Sequence, residues 1–476
     1  FCPIYKRCGG CVCQHMTYEA SLAFKRQQVQ DLLQRVGGLS IEVPPVWGMA
    51  HPFGYRNKGA YPVAQTDGAP ACGFFAPRSH DLVPLPENGC AIQGEDSARA
   101  TQAVLNWMRE NSVPAYDEQT GRGLVRHIMT RSTTSGELMV VVVVTRADIP
   151  KASRLIELLR AAVPGLCSVC LSVNSRRTNV ILGTDIRVLW GKAAMEDTLC
   201  GLRFSVSPLS FFQVNPRQTE RLYGLALEYA GLTGAETVVD AYCGAGTISL
   251  LLAQKAQKVI GIEIVPEAIR NANENAARNG IANAEFHVGA TEELLPKLVE
   301  NGLRPDVIVL DPPRKGCDPA VLQAIIAASP KRVVYISCGA PTLARDAKLL
   351  AEGGYAAEKV QCVDMFCWTG AVETVMCFSK ETYPHRSVKV EFPLEGLSVA
   401  QLQGSATYEQ IKAYVLEHSG LKVSTLYIAQ VKQKYGIIER ECYNKPKSED
   451  AKQPQCPPNK EAAIVEALKF YGLIAP

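Results

Sequence analysis

No stretch of this sequence is long and apolar enough to cross a bilayer. The longest apolar run, Leu138 to Val144, falls far short of the roughly 20 residues that a spanning helix needs. No apolar core opens the chain either, so no secretory leader is expected. Charge of one sign is missing as well: 50 basic residues against 47 acidic ones leave a net +3. That balance permits a nucleic-acid partner without arguing for one. A third glycine is lacking where a nicotinamide-binding turn would carry it, since Gly244-Ala245-Gly246 is followed three residues on by Ser249.

Cysteine is plentiful, with 17 among 476 residues. With no leader, that count points to a reduced, cytoplasmic protein that uses some thiols for metal or catalysis, not to a disulfide scaffold. The length calls for two to four domains. The first residue is Phe1, not Met, so an upstream segment is expected.

Cys2, Cys8, Cys11 and Cys13 come first, with Gly9-Gly10 between the second and third. The spacing C-x5-C-x2-C suits a metal loop whose glycines let backbone N–H groups approach a cluster's sulfurs. A fourth ligand is needed, and Cys90 is the candidate. Cys13 is nearer, but one residue beyond the adjacent Cys11-Val12 step it should point the other way. Zinc or a set of free thiols are the other readings. The spacing is not the C-x3-C-x2-C of radical enzymes, which disfavours radical chemistry.

Thr17 to Val36 reads as an amphipathic helix ended by Gly37-Gly38. Tyr55-Arg56-Asn57-Lys58-Gly59-Ala60-Tyr61-Pro62 mixes basic and aromatic residues, as phosphate contact and base stacking would require. Leu124–Arg131 and Glu137–Thr145 form a hairpin. Ser168–Asn174 and Asn179–Leu182 read as strands around Arg176-Arg177. The Cys167-x2-Cys170 pair finds no second pair and is expected to pack inside a strand. Residues 1–205 are therefore an α+β region.

From Thr237 the pattern is a βαβ series. Thr237–Asp240 is a strand, Gly244 and Gly246 shape the turn after it, and Lys258 to Glu263 is a second strand ending in an acid. Such glycines let a cofactor approach the backbone, and the acid can accept from ribose hydroxyls. Two more strands end in Asp311 (within Asp311-Pro312-Pro313-Arg314) and in Ser337-Cys338. Ligands in open α/β sheets bind at the carboxyl ends of strands, so Asp311 and Cys338 should share a crevice. Glu373 follows in Met365-Phe366…Val372-Glu373. A thiol and two carboxyl groups at one crevice suit nucleophilic catalysis followed by proton abstraction.

These ordered motifs, with Thr342-Leu343-Ala344-Arg345-Asp346 after the cysteine, resemble the RNA uracil-5-methyltransferase family over residues 2 to about 380. The resemblance implies an α/β fold: a Rossmann-like S-adenosylmethionine (SAM)-dependent methyltransferase domain over 206–380, an α+β iron–sulfur and RNA-binding domain over 1–205, and a small α+β accessory region over 381–476. It implies Cys338 as nucleophile and Glu373 as base. It implies cofactor contacts by Gln213 (in Phe211-Phe212-Gln213-Val214-Asn215), Tyr242 and Glu263, with Asp311 ordering base and cofactor and Arg345 meeting phosphate. It also implies a [4Fe-4S] cluster on Cys2, Cys8, Cys11 and Cys90. The sequence departs from relatives at Gly339-Ala340 after the cysteine, at Cys367-Trp368 and Ala371, and at Thr247.

The expected substrate is a uridine of 23S rRNA, because iron–sulfur motifs mark the ribosomal members. A tRNA T-loop uridine and a non-catalytic iron–sulfur RNA-binding protein are the alternatives. Cytosine-5 methylation would call for a Pro-Cys in the Asp-Pro loop, where this chain has Pro313 followed by Arg314. A monomer with no membrane and no DNA partner is expected. Beyond residue 380, Tyr383–Leu394 is strand-like. Helices are expected over Thr407–Glu417, Thr425–Tyr435 and Pro458–Tyr471, with a proline-rich linker at Asn444–Asn459. A structural or docking role suits that tail's balanced charge better than a helix-turn-helix reader.

Overall fold

The computed structural model of the chain describes residues 1–380, 406–437 and 455–474. Two compact units are present, Phe1–Arg386 and Ser387–Pro476.

The first unit opens on the cysteine loop and α1 (Tyr18–Arg35), whose first turn is capped by the Thr17 side chain. Its buried stripe, Ser21, Lys25, Val29 and Leu33, recurs every four residues, the spacing of one helix face. Then come β1 (Lys58–Thr66), β2 (Ala69–Phe75), β3 (Leu82–Pro84), α2 (Glu95–Glu110), β4 (Val125–Ser132), β5 (Leu138–Val144), α3 (Ala152–Ala162), β6 (Leu166–Val173) and β7 (Asp185–Gly191). They build a seven-stranded sheet in the order β3-β2-β1-β4-β5-β6-β7. The valine run of β5 is buried throughout, as β-branched residues in an interior strand should be.

The expected strand Asn179–Leu182 is a loop, and β7 starts later. The Asn174 side-chain amide donates to the carbonyls of Val180 and Ile181, and the Gly183 amide donates to Ser172 Oγ. Side chains thereby take the backbone groups that a ladder would need. Cys170 is fully buried within β6, as expected of a packing residue.

A short hairpin, β8 (Met195–Leu199) and β9 (Leu202–Val206), precedes the second sheet. The chain then runs α4 (Pro216–Ala230), β10 (Thr237–Asp240), α5 (Thr247–Ala253), β11 (Lys258–Glu263), α6 (Pro266–Arg278), β12 (Ala284–Val288), α7 (Thr291–Glu300), β13 (Val307–Leu310), α8 (Pro319–Ala328), β14 (Arg332–Ser337), α9 (Ala340–Glu352), β15 (Tyr355–Val363) and β16 (Glu373–Lys380). The sheet order is β12-β11-β10-β13-β14-β16-β15. All neighbours are parallel except β16, which is antiparallel to both β14 and β15. Helices cover both faces, giving a Rossmann-like layer with two cores. Val29, Leu33, Val43 and Val46 from the N-terminal segment belong to one of these cores.

The second unit holds α10 (Tyr408–Ser419), α11 (Thr425–Lys434) and α12 (Pro458–Phe470) among its described residues. Thr407 and Gln410 form a capping box, and Gly420 ends α10 at φ 68°. Ile411, Val415, Ile428, Val431, Ile464 and Leu468 make its core. The strand expected at Tyr383–Leu394 and most of the expected linker lie outside the described residues.

Candidate active site and cysteine pocket

One edge of the second sheet gathers the chemistry. Asp240, Glu263, Asp311 and Cys338 stand at or just past the carboxyl ends of β10, β11, β13 and β14. Glu373 joins them because β16 runs the other way and starts at that edge. In the β14–β16 register Ser337 faces Thr374. Cys338 follows Ser337 and Glu373 precedes Thr374, so both stand at this edge, and the thiol is within reach of the Glu373 and Asp311 charges.

Burial dominates the electrostatics here. Glu373 is buried, and its carboxyl is pushed up to about 8 by burial first and by the Asp311 charge second, while Arg314 pulls it down. Asp311 is pushed up to about 7 by burial and then by Asp240. Asp240 reaches about 6 through burial, offset by the Ser249 hydroxyl that donates to it at 2.6 Å. The Cys338 thiol is pushed up by burial, then by Glu373 and Asp311, and is lowered by Arg314. Arg314 is thus the cation that serves both groups.

The glycine turn is shaped for a ligand. Gly244 and Gly246 adopt φ of 53° and 82°, where a side chain is strained. The Gly244 amide donates to Glu263 Oε2 at 3.2 Å, and Val265 N donates to Oε1 at 2.9 Å. Asp240 Oδ1 is buried without a partner. Gln213 fixes its backbone by accepting from Asn57 at 3.1 Å. Tyr242 reaches Cys317, and its hydroxyl is raised by burial and by that thiol.

Sequence reasoning missed Tyr223. Its buried hydroxyl lies 3.4 Å from Thr247 Oγ1 and hydrogen-bonds the Gln213 side chain, within reach of the Asp311 charge. It occupies an ordinary inward position of an amphipathic helix, so no local signal marked it.

Arg345, expected to meet phosphate, keeps its side chain half exposed while bracing the protein. Its guanidinium pairs with the fully buried Asp346 at 2.6 Å and donates to the carbonyls of Lys315 and Cys317. Asp346 also accepts from Tyr335 and from the Cys317 amide. Together they brace the loop that follows Asp311. The stacking expected of Tyr55 and Tyr61 is overturned. Both rings are in the interior, with hydroxyls on the Cys367 carbonyl and Ser97. Arg56 and Lys58 keep partial exposure.

A second site lies in the N-terminal part of this unit. Cys2, Cys8, Cys11 and Cys90 line one cavity of about 310 Å³ with Arg56, Lys58 and Thr369. Cys13 is turned away, with its thiol facing Lys25 and Asp364. Burial raises Cys11 to about 12, followed by the Cys90 charge, and raises Cys90 to about 11. The Gly10 amide, the Gln14 side chain and the Ile92 amide act in the opposite sense on Cys8, Cys11 and Cys90. Among the described residues no group of three His, Cys, Asp or Glu converges to hold a single metal ion. Every described cysteine is a free thiol.

An open, mostly parallel sheet with a glycine turn after its first strand and an acid ending its second is the fold of a SAM-dependent methyltransferase. A methyltransferase-domain family profile matches residues 232–376. An uncharacterized RNA methyltransferase of Halalkalibacterium halodurans is 48% identical over 376 residues, 79% of this chain and 82% of that one. One from Clostridium acetobutylicum is 45% identical over 80% of this chain and 83% of its own. Among solved structures, the Pyrococcus abyssi tRNA (uracil-54, C5)-methyltransferase in complex with S-adenosyl-L-homocysteine matches with a TM-score of 0.65 and 26% identity, covering 78% of this chain and 86% of that one. The chain belongs to the RNA methyltransferase family and is a SAM-dependent enzyme. No helix among the described residues is long and apolar enough to cross a membrane.

Proposed function

We propose that the enzyme methylates C5 of a uridine in 23S rRNA. The observation that carries the reaction is the Cys338 thiol within reach of the Glu373 and Asp311 charges at one edge of the sheet. C5 of uracil is a poor nucleophile. Addition of the Cys338 thiolate to C6 turns C5 into an enolate-like carbon. SAM supplies the electrophilic methyl group. Glu373 then takes the C5 proton; the C–H electron pair forms the C5=C6 bond and the sulfur leaves as thiolate. Arg314 favours both ionised forms. Asp311, near 7, can donate or accept a hydrogen bond in the crevice. Gly244, Gly246, Glu263, Gln213 and Tyr242 are the cofactor contacts in this reading. A base inside a helix cannot reach this crevice, so the uridine is unpaired or flipped out.

In the same reading, Cys2, Cys8, Cys11 and Cys90 hold a [4Fe-4S] cluster. A cluster spreads its thiolates around a core instead of gathering them on one ion, which agrees with four sulfurs lining one cavity. The residues fit it chemically. The Gly10 and Ile92 amides and the Gln14 side chain oppose the rise of three thiols, and Arg56 and Lys58 line the same cavity. A cluster bound there orders the loop around it.

The cysteine set favours ribosomal RNA. The tRNA substrate of the Pyrococcus neighbour supports a second reading, a tRNA uridine. Nucleoside mass spectrometry decides between them. Unmodified 23S rRNA and tRNA are each incubated with SAM and the wild type, Cys338→Ala or Glu373→Gln. 5-Methyluridine in 23S rRNA with wild type alone is expected. Its appearance only in tRNA moves the substrate, and its absence from both refutes the reaction.

A further inference from the structure

Glu373 is delivered by the loop from Asp364 to Val372 between β15 and β16; Asn215 and Gln218 hold the carbonyls of Met365 and Asp364 at its start, and the N-terminal segment fastens it from Asp364 to Trp368. The amides of both Val12 and Cys13 donate to the Trp368 carbonyl at 2.9 Å. The Trp368 indole donates to the Pro52 carbonyl at 3.0 Å, and its ring packs on Phe53 and Tyr18. Tyr55 donates to the Cys367 carbonyl at 3.2 Å. Lys25 holds the Phe366 carbonyl at 3.1 Å and pairs with Asp364 at 2.5 Å, both fully buried, while Tyr18 donates to Asp364 at 2.7 Å.

Trp368 itself sits at φ 67°. A bulky residue in the left-handed region is unfavourable unless its surroundings over-determine it, and such residues cluster at functional sites. Here the surroundings are the cysteine loop on one side and the Pro52–Tyr55 segment on the other. Five residues later the chain reaches Glu373. A local relaxation at Trp368 would shift the start of β16 while leaving the β14–β16 ladder beyond it intact.

We propose that Trp368 is a positioning residue for proton removal: its left-handed turn, pinned by the Val12 and Cys13 amides and by the Pro52 carbonyl, sets the Glu373 carboxylate in the crevice and ties the cysteine loop to the last step of the reaction. The inference rests on the reading of Glu373 as the base. It has a signature that general loss of structure lacks. If Glu373 is misplaced, Cys338 still adds to C6 and the methyl group is still transferred. The C5 proton then stays, the C6–S bond does not break, and enzyme accumulates on RNA.

The test uses the full chain with radiolabelled 23S rRNA and SAM. It reads the fraction of RNA held in an SDS-stable adduct, turnover, and SAM affinity. Trp368→Ala should lower turnover at least tenfold and raise the adduct fraction several-fold, with SAM affinity within twofold of wild type. Trp368→Phe keeps the ring packing and should recover most of the turnover. Should Trp368→Ala fail to fold, Tyr55→Phe removes one hydroxyl donor to the same loop and should raise the adduct fraction in the same direction. Unchanged turnover, or a loss that follows SAM affinity without adduct, overturns the proposal. Glu373→Gln is the control. If it traps no adduct, the base assignment has failed, and the positioning role falls with it for that separate reason.

Discussion

The sharpest consequence of the site's electrostatics concerns Glu373→Gln and its dependence on pH. Glu373 goes from an ordinary 4.5 to about 8 on folding, chiefly through burial. A carboxyl raised in the folded state binds a proton that the unfolded chain releases. Wild-type stability therefore falls as pH rises from about 4.5 to about 8, and flattens above that. Glutamine is neutral throughout, so the variant escapes this loss. At pH 5 both proteins carry a neutral group at 373 and should be equally stable. At pH 9 the wild type carries a buried charge. At about 1.4 kcal/mol per pKa unit the rise bounds the gap at about 5 kcal/mol, and relaxation around the ionised group reduces it to about 2–3 kcal/mol. Urea unfolding of both proteins at pH 5, 7 and 9 measures it. The variant should match the wild type at pH 5 and gain steadily toward pH 9, while losing turnover at every pH. A constant difference across the series would refute the account of a buried, proton-holding carboxyl.

Four further outcomes follow from other parts of the structure. Wild-type kcat should rise with pH through about 8, because Glu373 takes the C5 proton in its ionised form, and the raised Cys338 thiol should carry the rise further; saturating initial rates from pH 6 to 9 test this. Asp364→Ala should destabilise the protein by about 3–5 kcal/mol in urea unfolding, since it leaves Lys25 charged and unpaired in the interior. Tyr223→Phe should weaken SAM binding several-fold in calorimetry with little change in melting, because it removes the hydroxyl shared by Gln213 and Thr247. Cys90→Ser should sharply lower the iron content of anaerobically purified protein, whereas Cys13→Ser should leave it unchanged.

The sequence was most legible where structure is local. Short apolar strands ending in Asp240, Glu263, Asp311 and Cys338 announced a parallel sheet and its binding edge. The amphipathic pattern over Thr17–Val36, ended by Gly37-Gly38, announced α1. Distant contacts were not legible. Lys25 meets Asp364 across 339 residues, and nothing near either one foretells the other. Tyr55 and Tyr61 looked like stacking surfaces because partners distant in sequence decide which way a ring turns; β1 turned Tyr61 inward, and Tyr55, just before it, packs against Cys367 and Trp368. The bracing by Arg345 was hidden because its partners, Asp346 and the carbonyls of the preceding loop, are set by how α9 packs. The reversal of β16 was also silent in the pattern, although Glu373 reaches the crevice only through it.

That reversal has a consequence for control. Ser337 and Thr374 are joined in one ladder, so Cys338, which follows the one, and Glu373, which precedes the other, stand at a single edge of the sheet. In the proposed reaction the thiol and the carboxyl therefore meet a uridine from adjoining strands, and selection among uridines falls to which nucleotide can leave its stack and reach that edge.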